Sequence, residues 1–363
     1  FFMGNYMTLF RTPLYESAVE TGGRMVPFSG WEMAVQFEGL MVEHKAVRTS
    51  SGMFDISHMG VLRLVGEDVK QKLQYLVPTD LNKIGPGKAC YSVLLNEQGG
   101  IRDDLIIYDS TETEMFAVIN ACCLESDTEW IRSQLEPQGI EVIDYKSDGT
   151  FLAVQGPKAV EILDSLGDFN LKDVLRFGHK HIDLLGQSVF AARTGYTGED
   201  GFELLIPSPA GPELWKILLE KGVAPCGLGS RDTLRLESAM HLYGSEMDDK
   251  TSPIEASLKW IVNFDHEYIG RDVLKKQVEE GVSKKLVAIK LTKRNIARHG
   301  YPVFYNDEEV GEVTSGTWSP TLSEPIALAY VPAEHSKIGT ELGVKIRGKI
   351  ETATIVKKPF IKK

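Results

Sequence analysis

Two patterns of hydrophobic and polar residues follow one another along the chain. Up to about residue 280, alternating apolar and polar runs, typical of strands, take turns with segments whose apolar residues recur at helical spacing. From residue 284 onward only short alternating runs remain, separated by Gly, Pro, Asn and Asp. Regularly spaced short strands with turn residues between them are typical of a small β-barrel or sandwich. The pattern predicts an α+β body at 1–280 and a C-terminal β-barrel domain at 284–363.

The α+β part contains a weak internal repeat. VLRLVGEDVKQKLQYL (61–76) and FLAVQGPKAVEILDSL (151–166) both read as a strand, a glycine and an amphipathic helix. We therefore expect two pseudo-repeated α+β halves. One half is inserted at about 51–145, and the other is formed by 1–50 together with 146–280.

A second pair of segments extends the repeat. GGIRDDLII (99–107) and GEDGFELLI (198–206) both read as a Gly-rich turn followed by a strand. In that register Asp104 lies against Glu203. Because clefts between repeats are favoured ligand sites, we expect these two acids to face a common cleft.

The stretch LLNEQGGIRDDLIIY (94–108) places two carboxylates in an otherwise apolar strand. Since strand side chains alternate between faces, Asp104, Ile106 and Tyr108 share one face and Asp103 lies on the other. A carboxylate buried there without a partner is costly. Either the turn before the strand leaves both acids solvated at the mouth of a hairpin, or they belong to a site.

Composition narrows the function classes. The 363 residues carry a net charge of −11, which argues against general binding to nucleic acid or to anionic membranes. The tail from Lys284 has 14 basic and 8 acidic residues, so it is locally basic. No stretch approaches the roughly 20 apolar residues of a membrane span. The four cysteines form no zinc motif and are expected to be reduced thiols in a cytosol-like compartment, with no metal bound.

Two Gly-rich segments carry candidate ligand-binding residues. In RTGYTGEDGFE (193–203), Tyr196 is placed to stack on a flat ligand or to cap the core, and Glu203 to accept two hydrogen bonds from a planar double donor such as a 2-amino-pyrimidinone edge. In PCGLGSRDTLRLE (225–237), a turn leads into a helix at Arg231. This turn offers backbone N–H groups and a guanidinium to a ligand. Alternatively, Arg231 pairs with an acid to position the helix.

The segment FDISHMG (54–60) contains His58, which has no second histidine or cysteine at ligand spacing. We interpret it as a structural hydrogen-bonding residue without a catalytic role. Nucleophile-elbow, P-loop and zinc-protease motifs do not occur in the chain.

The motifs together resemble the glycine cleavage T-protein (aminomethyltransferase) family. The resemblance runs in order from about Arg11 to Lys358 and includes several long blocks. They are RTPLY, FSGWEMAVQF, EHKAVRTSSGMFDISHMG, YSVLLNEQGGIRDDLIIY, LAVQGPKA, RTGYTGEDGFE, PCGLGSRDTLRLE and VTSGTWSPTL.

The resemblance implies a three-domain cloverleaf arrangement with a folate-binding body and a C-terminal β-barrel. It implies transfer of the one-carbon unit of an aminomethyl group, carried on the lipoyl arm of H-protein, to the co-substrate tetrahydrofolate, with release of ammonia. The expected partners are lipoylated H-protein and folate, with neither nucleic acid nor membrane, and the expected state is a monomer. The expected compartment is the bacterial cytoplasm, or the mitochondrial matrix after removal of a targeting peptide.

The resemblance also implies residue roles. Asp104 matches the catalytic aspartate, which we expect near N5 of the folate, where it orients the ring and stabilises developing positive charge. Glu203 matches the pterin-binding glutamate and Arg231 a folate-binding arginine. Arg298 matches the position where relatives meet the acidic H-protein. Further residues that line the folate pocket in the family, or share the face of Asp104, correspond to Tyr91, Asn120, Tyr196, Ile106 and Tyr108.

The sequence departs from the family pattern at three places. Ser230 replaces the usual alanine before the Arg-Asp pair, NACC (120–123) replaces a different run, and Arg102 precedes the two acids. The alternative function is that of a folate-dependent demethylase of the same fold. Flavin-linked dehydrogenase tails and a non-catalytic iron–sulfur assembly class are disfavoured, the latter because KACYSVL lacks its signature.

Overall fold

The computed structural model describes residues 8–146, 149–207 and 209–362. In chain order the strands are β1 (Arg24–Phe28), β2 (Trp31–Gln36), β3 (Gly52–Asp55), β4 (Gly60–Val65), β5 (Lys88–Leu95), β6 (Ile101–Thr111), β7 (Glu114–Ile119), β8 (Glu141–Asp144), β9 (Thr150–Gln155), β10 (His179–Leu184), β11 (Gln187–Ala192), β12 (Gly201–Ile206), β13 (Ala224–Pro225), β14 (Lys284–Leu291), β15 (Pro302–Tyr305), β16 (Glu308–Ser319), β17 (Glu324–Pro332), β18 (Glu341–Ile346) and β19 (Lys349–Val356). The helices are α1 (Tyr15–Glu20), α2 (Leu40–Thr49), α3 (Val69–Gln74), α4 (Leu124–Leu135), α5 (Ala159–Asp164), α6 (Ala210–Glu220), α7 (Leu228–Glu237) and α8 (Arg271–Glu280).

The chain divides into two compact units. The first unit consists of the described residues up to Lys72 together with Leu81–Cys90 and Leu105–Asp232. The second consists of Leu73–Asp80, Tyr91–Asp104 and the described residues from Thr233 onward. The division therefore passes within β5, β6 and α7.

Two larger sheets and a two-stranded sheet precede the C-terminal strands. One sheet has the strand order β5-β6-β7-β4-β8, the other has the order β10-β11-β12-β9-β3-β13, and β1 pairs with β2. Strands of the second sheet, notably β9 and β12, are buried on both faces. One face packs with α5 and α6 in an apolar core that contains Leu214 and Trp215, which fits the amphipathic pattern of these helices.

The last six strands form a closed barrel, in the order β14-β17-β16-β15-β18-β19. Alternate residues of these strands, such as Val287, Ile289 and Leu291 of β14, point into one apolar cluster, as expected for strands with a period of two. The structure therefore confirms the predicted α+β class with a C-terminal β-barrel. Among the described residues, no helix combines the length and apolar character that crossing a membrane requires.

The repeat predicted at the strand–glycine–helix units is visible in the backbone. Gly66 follows β4 with φ of +158°, and Gly156 follows β9 with φ of +132°. Both glycines lead into short helices, α3 and α5. A side chain at either position would approach neighbouring backbone atoms within 3 Å, so both turns require glycine.

The register predicted for the second pair of segments is wrong. In one sheet β5, β6 and β7 lead back to β4, and in the other β10, β11 and β12 lead back to β9. By this order β6 corresponds to β11, and β12 corresponds to β7. Asp104 and Glu203 therefore lie on non-equivalent strands. The two Gly-rich turns are alike in sequence, whereas the strand order depends on long-range pairing.

Candidate functional site

Glu203 lies in the middle of a sheet in the first unit. It is on β12, where its backbone is opposite Ala153 on β9 and Ala192 on β11, and only 7% of the residue is exposed. Burial raises the pKa of this carboxyl, while a hydrogen bond from Thr194 and the charge of Arg231 act in the opposite direction. The site thus holds a mostly desolvated acceptor.

A chain of hydrogen bonds connects Glu203 to the strand that carries the two adjacent acids. Thr194 donates from Oγ1 to Oε2 of Glu203 over 2.6 Å, and Oγ1 is 3.1 Å from the hydroxyl of Tyr108. Since the single threonine proton goes to the carboxylate, Tyr108 donates to Thr194. Tyr108 is fully buried, edge-on to Phe190. Tyr108 therefore acts on the site through Thr194, a residue that the sequence analysis did not identify.

Arg231 and Tyr196 form a stacked pair in the same unit. The guanidinium carbon lies 4.9 Å from the centroid of the Tyr196 ring, a favourable cation–π distance. Burial lowers the pKa of Arg231, and the charge of Glu203 offsets part of this effect. Among the described residues, no hydrogen-bond partner contacts the buried Nη1 atom of Arg231. Arg231 thus offers a buried donor beside an aromatic ring, while its charge interacts with that of Glu203.

The turn before Arg231 is fastened by a buried glutamate on α2. Glu43 Oε2 accepts hydrogen bonds from the backbone N–H of Gly227 and from the hydroxyl of Ser230, both at 2.9 Å. A Cβ at Gly227 would meet the backbone of Val35 at 2.3 Å, so only glycine fits there. One backbone N–H of the turn that was expected to offer such groups to a ligand, that of Gly227, is therefore used by Glu43. Ser230, which departs from the family pattern, contributes a further bond to this anchor.

The two acids of β6 differ in burial. Asp103 is fully buried, whereas Asp104 and Ile106 occupy half-buried positions on the opposite face of the strand. The interpretation that both acids are solvated at a hairpin mouth is therefore wrong for Asp103. The alternation confirms that Asp104 and Ile106 share a face, and Asp104 is the acid on the more accessible side.

Asn120, Tyr91 and Arg298 lie on three separate elements. Asn120 directly follows β7, and its carbonyl accepts the N–H of Cys123 at the start of α4. In the second unit, Tyr91 of β5 stacks on the exposed ring of Trp260 with centroids 6.0 Å apart. Arg298 is exposed between β14 and β15 and contacts the carbonyl of Gly316 at 3.5 Å.

His58 is buried in the first unit, edge-on to Phe28 at 5.6 Å between ring centroids. Burial and the charges of Arg231 and Lys146 lower its pKa to about 3. Within the described part of the chain, its Nδ1 atom has no hydrogen-bond partner. The expectation of a satisfied hydrogen-bonding histidine is therefore wrong for this atom, and the lowered pKa keeps the ring neutral at pH 7.

Hydrogen bonds and close charges connect Glu203, Arg231, Tyr196 and Tyr108 within the first unit; that they line one folate pocket stays a prediction. Asp104, Tyr91 and Arg298 belong to the second unit. Besides Thr194, the sequence analysis missed Glu43, because an acid within an amphipathic helix gives no signal that distinguishes it from a solvated one.

Comparisons with known proteins match nearly the whole chain. Residues 14–266 match the family model "GCVT N-terminal domain", and residues 284–362 match "Glycine cleavage T-protein C-terminal barrel domain". The chain is 61% identical to the aminomethyltransferase of Synechococcus sp. (strain RCC307), over 98% of this chain and 99% of the relative. It is 57% identical to the aminomethyltransferase of Parasynechococcus marenigrum (strain WH8102), over 98% of this chain and 100% of the relative.

A solved structure gives the same result. The crystal structure of glycine cleavage system aminomethyltransferase T from Bartonella henselae superposes with a TM-score of 0.92 at 32% identity, over 98% of each chain. With both family models matched along nearly the whole length, the chain belongs to the glycine cleavage T-protein (aminomethyltransferase) family.

Proposed function

We propose that this chain transfers the one-carbon unit of S-aminomethyl-dihydrolipoyl H-protein to tetrahydrofolate. The products are 5,10-methylenetetrahydrofolate, ammonia and dihydrolipoyl H-protein. In this reaction the C–S bond to the lipoyl arm and the C–N bond to the amine break, and two C–N bonds to the folate form.

The observation that carries the proposal is the pairing of a buried acceptor with a buried donor. Glu203 keeps carboxylate lone pairs beyond the one that Thr194 uses, and Arg231 has a buried N–H without a partner among the described residues. A 2-aminopyrimidinone ring presents two parallel N–H donors and a carbonyl acceptor. Such a ring satisfies the buried groups of this site, which are otherwise costly to leave unpaired.

We assign the aromatic recognition to Tyr196. Arg231 covers one face of its ring, which makes the ring a rigid platform for stacking a flat heterocycle on the other face. Tyr108 orients Thr194 and thereby Glu203. Asn120, Ile106 and Tyr91 complete the proposed folate-lining set, and residues 1–280 form the proposed folate-binding body, with 284–363 as the separate barrel domain.

Asp104 is the proposed catalytic residue. Its place on the half-buried face of β6 lets its carboxylate meet a bound ligand, unlike the fully buried Asp103. Tetrahydrofolate supplies the two nitrogen nucleophiles. The Asp104 carboxylate orients the first of them and stabilises the positive charge that develops as the amine leaves.

The proposed docking partner is lipoylated H-protein, and Arg298 is its proposed contact. Support comes from the exposure of Arg298 on the locally basic C-terminal segment. A cationic surface favours an acidic carrier through long-range attraction, which speeds association.

The test is ammonia release from aminomethyl-loaded H-protein, with and without tetrahydrofolate. We expect fast, folate-dependent release by the native chain, and a loss of several orders of magnitude in Asp104→Asn with tetrahydrofolate affinity retained. Asp183→Asn, on an exposed position of β10, is the matched control and should be fully active. Near-normal turnover of Asp104→Asn would remove the catalytic assignment. Folate binding by the native chain without any ammonia release would instead point to a different methyl or methylene donor.

A further inference from the structure

The loop that carries Tyr196, residues 193–201, is fastened at its two ends. Arg193 binds the carboxylate of Asp200 through two hydrogen bonds, of 2.9 and 2.6 Å. Such a two-point guanidinium–carboxylate contact fixes orientation as well as distance. The two ends of the loop are therefore held close together.

A second contact fixes the far side of the loop. Arg48 on α2 donates from Nη1 to the carbonyl of Thr197 at 2.7 Å and to Oε1 of Glu199 at 2.9 Å. The side chains of Arg48 and Glu199 are 8% and 7% exposed. A desolvated pair of this kind is costly to break, because it leaves a buried charge behind.

The third contact involves the residues on either side of Gly195-Tyr196. Gln155, the last residue of β9 and only 1% exposed, donates from Nε2 to the carbonyl of Thr194 at 3.0 Å. Its Oε1 atom accepts the hydroxyl of Thr197, also at 3.0 Å. The buried amide of Gln155 thus forms hydrogen bonds with the residues on both sides of the Gly195-Tyr196 pair.

The fit between Gln155 and the loop is tight. A Cβ at position 195 would lie 2.0 Å from Oε1 of Gln155, so the loop backbone runs against the amide without room for a side chain. The same amide holds Thr194, whose hydroxyl donates to Glu203. Gln155 therefore binds the two residues that flank Gly195-Tyr196, and one of them, Thr194, donates to Glu203.

We infer that Gln155 is a positioning residue that fixes the Tyr196 ring and the Thr194–Glu203 hydrogen bond in one arrangement before a ligand arrives. The inference rests on the proposed function for the role of Tyr196 and Glu203 in folate binding. A pocket whose groups are already held in place spends less free energy on ordering when it binds. Gln155 itself need not contact the folate.

The test variant is Gln155→Met, which keeps the length of the side chain and removes both hydrogen bonds. We expect the Kd and KM for tetrahydrofolate to rise about tenfold, which corresponds to about 1.4 kcal/mol. The KM for H-protein and kcat at saturating folate should stay within about twofold of the native values. The matched control is Gln187→Met, the same substitution at an exposed position on β11.

Two further readouts separate positioning from general destabilisation. Hydrogen exchange of the backbone amides at 194–198, measured without ligand, should accelerate in Gln155→Met, while exchange in the barrel strands stays unchanged. In a Thr194→Val, Tyr196→Ala background, adding Gln155→Met should weaken folate binding no further, because the groups that it positions are gone.

The outcomes discriminate clearly. Unchanged loop exchange, or an equal loss of affinity in both backgrounds, overturns the inference. If the Thr194→Val, Tyr196→Ala protein itself binds tetrahydrofolate normally, the proposed folate site is wrong. Accelerated loop exchange in Gln155→Met would then still support its positioning of the loop.

Discussion

Replacing Glu203 with glutamine is expected to weaken folate binding without weakening the fold. The substitution keeps the shape of the side chain, and Thr194 can still donate to the amide oxygen. What is lost is the negative charge, together with one acceptor that becomes an N–H donor facing the N–H donors of the pterin edge.

The magnitude follows from the burial of the site. At 7% exposure, water cannot replace the lost acceptor. A hydrogen bond to a charged group in such a setting contributes about 1.5–3 kcal/mol. Since about 1.4 kcal/mol corresponds to a tenfold change in Kd, tetrahydrofolate should bind about 10- to 100-fold more weakly to Glu203→Gln.

Stability should respond in the opposite direction. Burial raises the pKa of Glu203. The ionised carboxylate therefore lowers the free energy of unfolding at pH values above the pKa. Removing the charge should therefore leave the Tm at neutral pH unchanged or slightly higher. Losing affinity without losing stability is the signature of a binding residue.

The assay pairs anaerobic titration calorimetry with tetrahydrofolate and thermal unfolding of the same samples. Glu213→Gln, on an exposed position of α6, is the matched control and should change neither quantity. Unchanged folate affinity in Glu203→Gln would refute the assignment. A fall in Tm that accompanies the fall in affinity would mean that Glu203 supports the fold rather than the ligand.

Three further predictions use other parts of the structure. Folate affinity should fall as the pH is lowered through the raised pKa of Glu203, since only the ionised carboxylate accepts both donors. Thr194→Val should move this decline to higher pH, because the hydrogen bond from Thr194 lowers the pKa of Glu203. Calorimetric titrations at several pH values check both expectations, and an identical midpoint in Thr194→Val would contradict the second. Arg298→Glu should raise the KM for H-protein several-fold and spare that for tetrahydrofolate, with Lys345→Glu on the exposed side of β18 as control; equal effects on both substrates would remove the docking role. Arg235→Met should destabilise the protein by about 3–5 kcal/mol in urea unfolding, because Arg235 pairs with Glu246 at 2.9 Å with both side chains at most 2% exposed; a change below about 1 kcal/mol would show that the pair is dispensable.

The fold class followed from local patterns, whereas the spatial order of the strands did not. Period-two runs separated by turn residues identified the barrel strands, because each strand carries its own pattern. The equivalence of β6 and β11 could not be read in this way. It depends on which strands pair across the sheet, and the similarity of two Gly-rich turns suggested a different pairing of equivalent strands.

The candidate site shows the same division. Tyr196, Glu203 and Arg231 stood out because they offer a ligand an aromatic ring, a carboxylate and a guanidinium within or beside Gly-rich segments. Gln155 and Thr194 gave no signal, because a polar residue at a strand end is usually solvated. Their importance comes from burial and from partners distant in sequence, such as Gln155 and Thr197, which are 42 residues apart.

Asp104 on β6 and Glu203 on β12 lie on strands that do not correspond in the two halves, which affects how the protein can be redesigned. Because Asp104 and Glu203 occupy non-equivalent strands, the pseudo-symmetry of the halves does not extend to the proposed catalytic and recognition residues. If the halves descend from a duplicated ancestor, the two proposed roles were divided between them afterwards, on different strands. A protein built from two copies of either half would contain the scaffold twice, but it would lack either Asp104 or Glu203. Attempts to simplify this architecture by symmetrising it should therefore keep the fold and lose the reaction.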